Sequence, residues 1–507
     1  MIEKSKKLIL FIGIIILLVI LVCNVFFHTS IEDKELEHVV FSWQSISNVF
    51  LEILIVIGIL IVCKITNNIL SEKTKKVKII VLGVVLIIYL IAQILFINYR
   101  DLYPYEDQLG IYQFAVEMYN SDSSSFFHVQ YFEKYPHQIG FAVVESIIFK
   151  ICGSTNVKII QYLNAISNCF TILALVLIAN LITKNKRRNI ALSAFIILTF
   201  LPIPLLSTYM YGDEIGLTLS LFSLYFIMKF TKENRDKYFV ISIICMAISY
   251  ICKINSLIFI IAISMYLVYH ALKQPKEKKL NVFLSIVVFI VCSIIPNKVL
   301  VSCVQSKYQF DKSAKVPTSH FLYMGMTESD RGYGWFNDEA SYTSWNNDSE
   351  QSDKIHKEAI KNRLFEFAKN PLYCIRFYIL KIASMWAENT NQSIYFNESF
   401  SFQINKDYEK DKKMVENKPN LELYTKSIYL IIFGVSLLTI LSCRNKISDE
   451  SLLLLILLIG GFLFYILWEA KSRYIISYVV SIIPLVALPI DFNGLKNDIN
   501  KNFRIKK

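Results

Sequence analysis

The chain has 507 residues, of which 54% are hydrophobic and only 15 are glycine, and its mean hydropathy is +0.45. That is too apolar over too great a length for a water-soluble fold, so soluble enzymes and soluble binding modules are excluded and a polytopic membrane protein is expected. The net charge of +12 comes largely from lysines in short loops and gives no ground for a nucleic-acid partner.

A helix needs about 20 apolar residues to cross a hydrocarbon core of about 30 Å, because backbone polar groups cannot be left unpaired in lipid. About twelve such runs follow one another, near 8–27, 49–66, 78–97, 158–182, 189–208, 214–230, 238–252, 254–272, 280–300, 425–443, 451–468 and 474–490. The first is too long for the apolar part of a signal peptide and lacks a small-residue cleavage site, so it is read as a span. Only Lys253 and a short polar patch divide the seventh from the eighth.

Cations in short loops set the orientation. Lys4, Lys6 and Lys7 precede the first span, Lys73 to Lys78 follow the second, and Lys184 to Arg188 follow the fourth; Lys232 to Lys237, Lys273 to Lys279 and the tail from Lys496 continue the alternation. Both termini are therefore expected in the cytoplasm, with segments 98–157 and 301–424 outside and the loop IEDKELEH as an acidic outer turn. The expected organisation is a two-helix segment 1–77, a membrane core 78–300, a large outer loop 301–424, and closing helices with a basic tail, 425–507. Within the first outer segment QIGFAVVESIIFKICG is short and interrupted by Glu145 and Lys150, so it is expected to lie on the outer leaflet as an interfacial helix.

The ten cysteines are scattered with no CxxC pair, so neither a metal site nor a disulfide framework is indicated, and Cys303 and Cys374, both on the outer side, are read as free thiols. The loop 301–424 is too long for a connector. Its stretch HFLYMGMTESDRGYGWFNDEASYTSW, opened by His320, is rich in Tyr, Trp and mixed charge and suits a polar ligand with sugar faces for aromatics to stack on.

Separate pieces of polar chemistry meet on the outer face. Tyr105, Glu106 and Asp107 follow span three in LYPYEDQLGIY; Tyr211, Asp213 and Glu214 fill the turn STYMYGDEIGL. Lys253 and Asn255 lie in YICKINSL, and Glu469, Lys471, Arg473 and Tyr474 in LWEAKSRYIISY. Ionisable residues near the bilayer midplane mark transport pathways, yet here the span centres are almost free of them. Charges gathered at the outer interface suit a molecule with a greasy tail and an anionic head, such as a lipid-linked sugar phosphate.

In order and topology these motifs resemble the GT-C superfamily of polyprenyl-phosphate-sugar-dependent membrane glycosyltransferases, which includes the protein mannosyltransferases and the lipid A aminoarabinose transferases. The matching parts are YPYEDQ, then KYPHQIGFAVVESIIFKICG, then YGDE, then EAKSRY, between about residues 80 and 490; the loop stretch from HFLYMGM resembles bacterial members that decorate cell-envelope polymers. Two spans ahead of the acid loop depart from the simplest family pattern, as does a second acid beside each key Asp.

The resemblance implies an all-α GT-C-like membrane fold and inverting transfer of a sugar from a polyprenyl-phosphate donor to a glycopolymer or glycolipid acceptor outside the cell membrane. It implies Asp107 as the base, with Glu106 its alternative, and Arg473, helped by Lys471 or Lys253, on the donor phosphate. Asp213 or Glu214 would orient the acceptor or share a divalent cation, magnesium or manganese, with Asp107, although nothing in the spacing demands one. Tyr105, Tyr211, Asn255, His320, Glu469 and Tyr474 would line the substrates. The competing readings are a polysaccharide polymerase or ligase, a lipid-linked sugar flippase or transporter, and an inert scaffold. A transporter should show repeats, broken helices or midplane charge, and none is clear here.

Overall fold

The structure, a computed structural model, describes residues 2–33, 37–71, 73–121, 127–183, 190–398, 407–443 and 447–490. The cation runs Lys184 to Arg188 and Lys496 to Lys507 lie outside the described residues.

Apolar runs become long helices. In chain order these are α1 (Ile2–Phe26), a hairpin of β1 (Phe27–Asp33) and β2 (Glu37–Trp43), α2 (Ile46–Ser71) and α3 (Lys75–Arg100). Three shorter helices follow, α4 (Glu106–Asn120), α5 (Phe127–Lys134) and α6 (Ile139–Cys152), then α7 (Lys158–Thr183), α8 (Ile190–Thr199) and α9 (Pro202–Leu205). Next come α10 (Asp213–Glu233), α11 (Asp236–Cys252), α12 (Leu257–Lys273) and α13 (Lys276–Lys307). The long segment beyond holds α14 (Thr318–Gly325), β3 (Glu328–Ser329), β4 (Gly332–Tyr333), α15 (Asp338–Asn346), α16 (Ser349–Lys369) and α17 (Pro371–Trp386). The chain closes with α18 (Tyr408–Cys443), α19 (Asp449–Leu467) and α20 (Ile476–Ile482).

Among the described residues nine helices are long and apolar enough to cross a membrane, against the twelve or so expected from hydropathy. The run 189–208 is cut into α8 and α9 at Pro202 and Pro204. The run 474–490 is a 3₁₀ turn, the seven-residue α20 and a second 3₁₀ turn containing Pro484. Proline has no N–H to give and its ring crowds the preceding turn, so regular α-helical bonding is interrupted there, while Leu192–Thr208 and Ser472–Ala487 each remain a short apolar helix. The run 238–252 does form a single helix, α11, of 17 residues, packed along α10.

The other difference is the loop between the first two helices, which is a β-hairpin paired from Phe27↔Trp43 to Asp33↔Glu37. Its two-residue period turns Glu37 and Val39 inward together. The stretch expected to lie on the outer leaflet forms the helix α6, ended by Gly153 at φ +64. Gly140 lets it close on the bundle, since a Cβ there would collide with the Ile251 carbonyl.

The central helices meet through small hydroxyl side chains rather than bulk, as suits packing in lipid, where apolar contact alone does not drive association. Ser249 Oγ lies 2.7 Å from both Ser220 Oγ and Ser256 Oγ, Ser223 pairs with Ser242 at 2.8 Å, and Thr171 with Thr218 at 2.6 Å. The hairpin, segments 101–121, 127–157 and 308–398, and the turns at 209–212, 253 and 468–473 gather at one end of the bundle, held by Lys158–Asp101 at 2.7 Å and Arg100–Asp411 at 2.8 Å. At the opposite end Lys6 Nζ donates to the Ile447 carbonyl at 2.9 Å and Lys273 pairs with Asp449 at 2.6 Å. All ten cysteines are free thiols, Cys303 and Cys374 among them.

Candidate active site at the loop-rich end

Two acidic anchors organise this end. Asp213 opens α10 immediately after Gly212, whose φ of +81 is a conformation glycine adopts without strain and whose missing Cβ leaves room for the Cys252 carbonyl. That close approach brings Lys253, at the end of α11, to Asp213, with Nζ 2.9 Å from both carboxylate oxygens. Arg473 Nη1 reaches Asp213 Oδ2 at 3.6 Å. The Arg473 guanidinium lies among the rings of Tyr209 (4.4 Å), Tyr211 (4.8 Å) and Phe396 (5.2 Å), and Lys253 Nζ sits 4.1 Å from the centre of the Tyr211 ring. Cation–π stacking fixes these two charges without satisfying their N–H groups. Among the described residues no acceptor lies within hydrogen-bond reach of Arg473 Nε or Nη1, although both are buried. Burial, with Arg473 nearby, holds the Lys253 ammonium down to about 8 against the pull of Asp213.

Asp107 joins this group through Tyr211, whose hydroxyl donates to Asp107 Oδ2 at 3.2 Å while accepting from Gln138 Nε2 at 2.6 Å. The Met210 N–H donates to Gln108 Oε1 at 2.8 Å and so pins the 209–212 turn to α4. Both acids at the start of α4 are solvent-accessible, and Glu106 has a positive φ of 50. Non-glycine residues at such φ cost about 1 kcal/mol or more and persist where the surroundings impose them. Partial desolvation by the surrounding chain, although the side chain still reaches solvent, and the charge of Glu37 push the Glu106 carboxyl up.

Glu37 is the second anchor. It is almost fully buried, with Oε2 3.0 Å from Lys471 Nζ and 3.6 Å from Arg331 Nη1, and Oε1 accepting from Gln392 Nε2 at 2.8 Å. Burial would raise its carboxyl, but these cations leave it below the usual range. Glu469, buried beside Lys471, is pushed up by desolvation.

A narrow crevice, with room for about one water-sized molecule, lies beside this cluster between α10, α12 and the chain after Arg473. Asp213, Lys253, Asn255 and Tyr474 line it, as do Leu217, Phe259 and Tyr478, with Ser220, Ser256 and Ser477 among them. Asn255 Nδ2 donates to the Tyr465 hydroxyl at 2.8 Å, and Tyr474 stacks on Tyr465 at 5.7 Å.

The other residues singled out from the sequence take different positions. Glu214 is buried in the first turn of α10, with no partner for Oε2 among the described residues. Tyr105 is buried at the N-cap of α4. His320 packs within the 308–398 segment, 3.0 Å from Ser344 Oγ and 5.4 Å from the His356 ring, and burial lowers it to about 3, so it is neutral. Asp213 is paired with Lys253 and Arg473, and among the described residues no three His, Cys, Asp or Glu side chains converge.

Sequence reasoning missed Glu37, Arg331 and the segment 388–398, which is buried throughout. In that segment Glu388 accepts from the Ser472 hydroxyl at 2.5 Å and the Gln392 N–H at 2.9 Å, and Asn391 Nδ2 donates to the Ser472 carbonyl at 2.9 Å. A run of ENTNQS, polar and uncharged after its first residue, directly after an amphipathic helix was the available signal.

Two solved structures of an oligosaccharyltransferase from Archaeoglobus fulgidus are similar in part. One, tethered to an acceptor peptide, aligns with 71% of this chain at 14% identity and a TM-score of 0.35. The other, AglB in complex with an inhibitory peptide and a dolichol-phosphate, aligns with 78% at 12% identity and a TM-score of 0.35. The alignments span 41% and 50% of those longer chains. No curated protein sequence matches. The profile of a family described as conserved hypothetical integral membrane protein matches residues 1–492, and the chain belongs to that family.

Proposed function

We propose that the protein is an integral-membrane glycosyltransferase that moves a sugar from a polyprenyl-phosphate carrier to a glycopolymer or glycolipid acceptor, on the extracytoplasmic face of the cell membrane and with both termini inside. The observation that carries this reading is the Arg473 guanidinium, buried, fixed by aromatic rings, ion-paired with Asp213 through Nη1 and with no hydrogen-bond acceptor for Nε among the described residues, beside a crevice lined by both polar and apolar side chains. That pairing suits a phosphate head on a lipid tail. An acceptor hydroxyl would attack the anomeric carbon and give its proton to Asp107, while the bond from that carbon to the phosphate oxygen breaks. Arg473 and Lys253 would take up the charge on the departing polyprenyl phosphate, exchanging part of their pairing with Asp213 for it. Tyr211 touches both halves, holding Asp107 by its hydroxyl and Lys253 by its ring.

The test is turnover of radiolabelled polyprenyl-phosphate sugars by protein in bilayers, with label passing to acceptor and free polyprenyl phosphate accumulating. Absence of turnover with any donor that the protein binds would refute the reading. A pH profile adds a sharper check. Lys253 loses its proton as pH rises through about 8, so transfer should fall there, and Lys253→Arg should move the fall to higher pH. Unfolding does not explain such a fall, because the unfolded chain keeps this lysine at its ordinary 10.5 and binds more protons between about 8 and 10.5, so this group's contribution to stability rises over that window.

A further inference from the structure

We propose that Glu37, on the hairpin between the first two helices, is a positioning residue of this site, setting the charge and place of Lys471 for the donor's phosphate. The inference rests on the glycosyltransferase reading above and gives the two helices ahead of the acid loop a role in it.

The turn 471–473 is gripped residue by residue. Lys471 Nζ is 3.0 Å from Glu37 Oε2. Ser472 is held by its hydroxyl to Glu388 and by its carbonyl to Asn391. The Arg473 N–H donates to Gln392 Oε1 at 3.3 Å, and the same amide donates through Nε2 to Glu37 Oε1 at 2.8 Å. Glu37 therefore touches Lys471 directly and the Arg473 backbone through one side chain. Arg331 completes its shell at 3.6 Å, carried there by the β3–β4 turn, whose Arg331 carbonyl accepts the Val39 N–H at 2.9 Å.

Burying a carboxylate with two cations is a poor way to gain stability, because desolvation consumes most of the attraction. Its effect is to favour the ammonium of Lys471 against burial, which acts the other way. Among the charged groups acting on this lysine, Glu37, Glu469, Asp107 and Glu106 favour the ammonium, and Arg473 opposes it.

Full-length protein in nanodiscs gives two readouts. The first is the pH dependence of Lys471 acylation by an amine-reactive reagent, followed by mass spectrometry. Glu37→Gln should lower the midpoint by about one unit or more, the usual effect of losing an opposite charge in contact. The second is binding of polyprenyl phosphate without sugar. Glu37→Gln and Lys471→Gln should each weaken it on the order of tenfold, and the double variant should be no weaker than Lys471→Gln alone. Should Glu37→Gln fail to fold, Glu37→Asp, which keeps the charge on a shorter arm, should show smaller shifts in the same directions. An unmoved midpoint, or binding losses that multiply in the double variant, would overturn the proposal. So would unchanged binding by Glu37→Gln when the wild type binds. If the wild type bound no polyprenyl phosphate, the glycosyltransferase reading would fail, and with it Glu37's role toward a phosphate; the acylation midpoint would still decide whether Glu37 sets the charge of Lys471.

Discussion

Asp107→Asn should lower sugar transfer by roughly 10²- to 10⁴-fold, the usual worth of a general base. Asparagine keeps an oxygen where the Tyr211 hydroxyl donates, 3.2 Å away, so the link between α4 and the 209–212 turn survives the change. What is lost is the capacity to take a proton from the acceptor hydroxyl. Glu106→Gln should cost far less, since the Tyr211 hydroxyl ties Asp107, and not its neighbour, to the cluster around Lys253 and Arg473. The measurement is transfer by purified variants in bilayers, with polyprenyl phosphate binding and thermal unfolding as controls for the fold. Equal and small effects of the two substitutions would leave the acid pair as plain solvation of a helix start.

Arg473→Ala should lower transfer by about 10²- to 10³-fold, as expected when a preorganised group on a developing charge is removed. Arg473→Lys should be almost as damaging. A lysine keeps the charge, but it cannot present a planar fork to phosphate oxygens, nor lie flat among the rings of Tyr209, Tyr211 and Phe396. Asp213 retains Lys253 in either variant, so the turn ahead of α10 should stay in place. Near-normal transfer by Arg473→Lys would make this residue a snorkelling anchor at the membrane surface.

The parts of the site legible in the sequence are charged residues standing at the ends of apolar runs. Asp213, Lys253 and Arg473 each interrupt hydrophobic sequence at a turn, and helices that alternate in direction bring such turns to one end of a bundle. What could not be read was which acid of a pair faces its neighbours. Successive residues of a helix point about 100° apart, and Asp213 takes the two cations while Glu214 turns into the bundle. Glu37 was hidden for another reason. Its partners Arg331, Gln392 and Lys471 are hundreds of positions away, and the charges of IEDKELEH conceal the two-residue period that makes it a strand. Hydropathy did not show where Pro202, Pro204 and Pro484 interrupt regular helix in apolar runs, because a window average does not register a single missing N–H.

The most direct test is an experimental structure of the protein in a bilayer with polyprenyl phosphate bound. The account predicts the phosphate within hydrogen-bond reach of Arg473 Nε or Nη1 and beside Lys253, the first isoprene units against Phe259 and Tyr478, and the Asp107 carboxylate open toward the phosphate. A phosphate held at the opposite end of the bundle, near Lys273 and Asp449, or an Arg473 still closed on its aromatic rings with the lipid bound elsewhere, would contradict it.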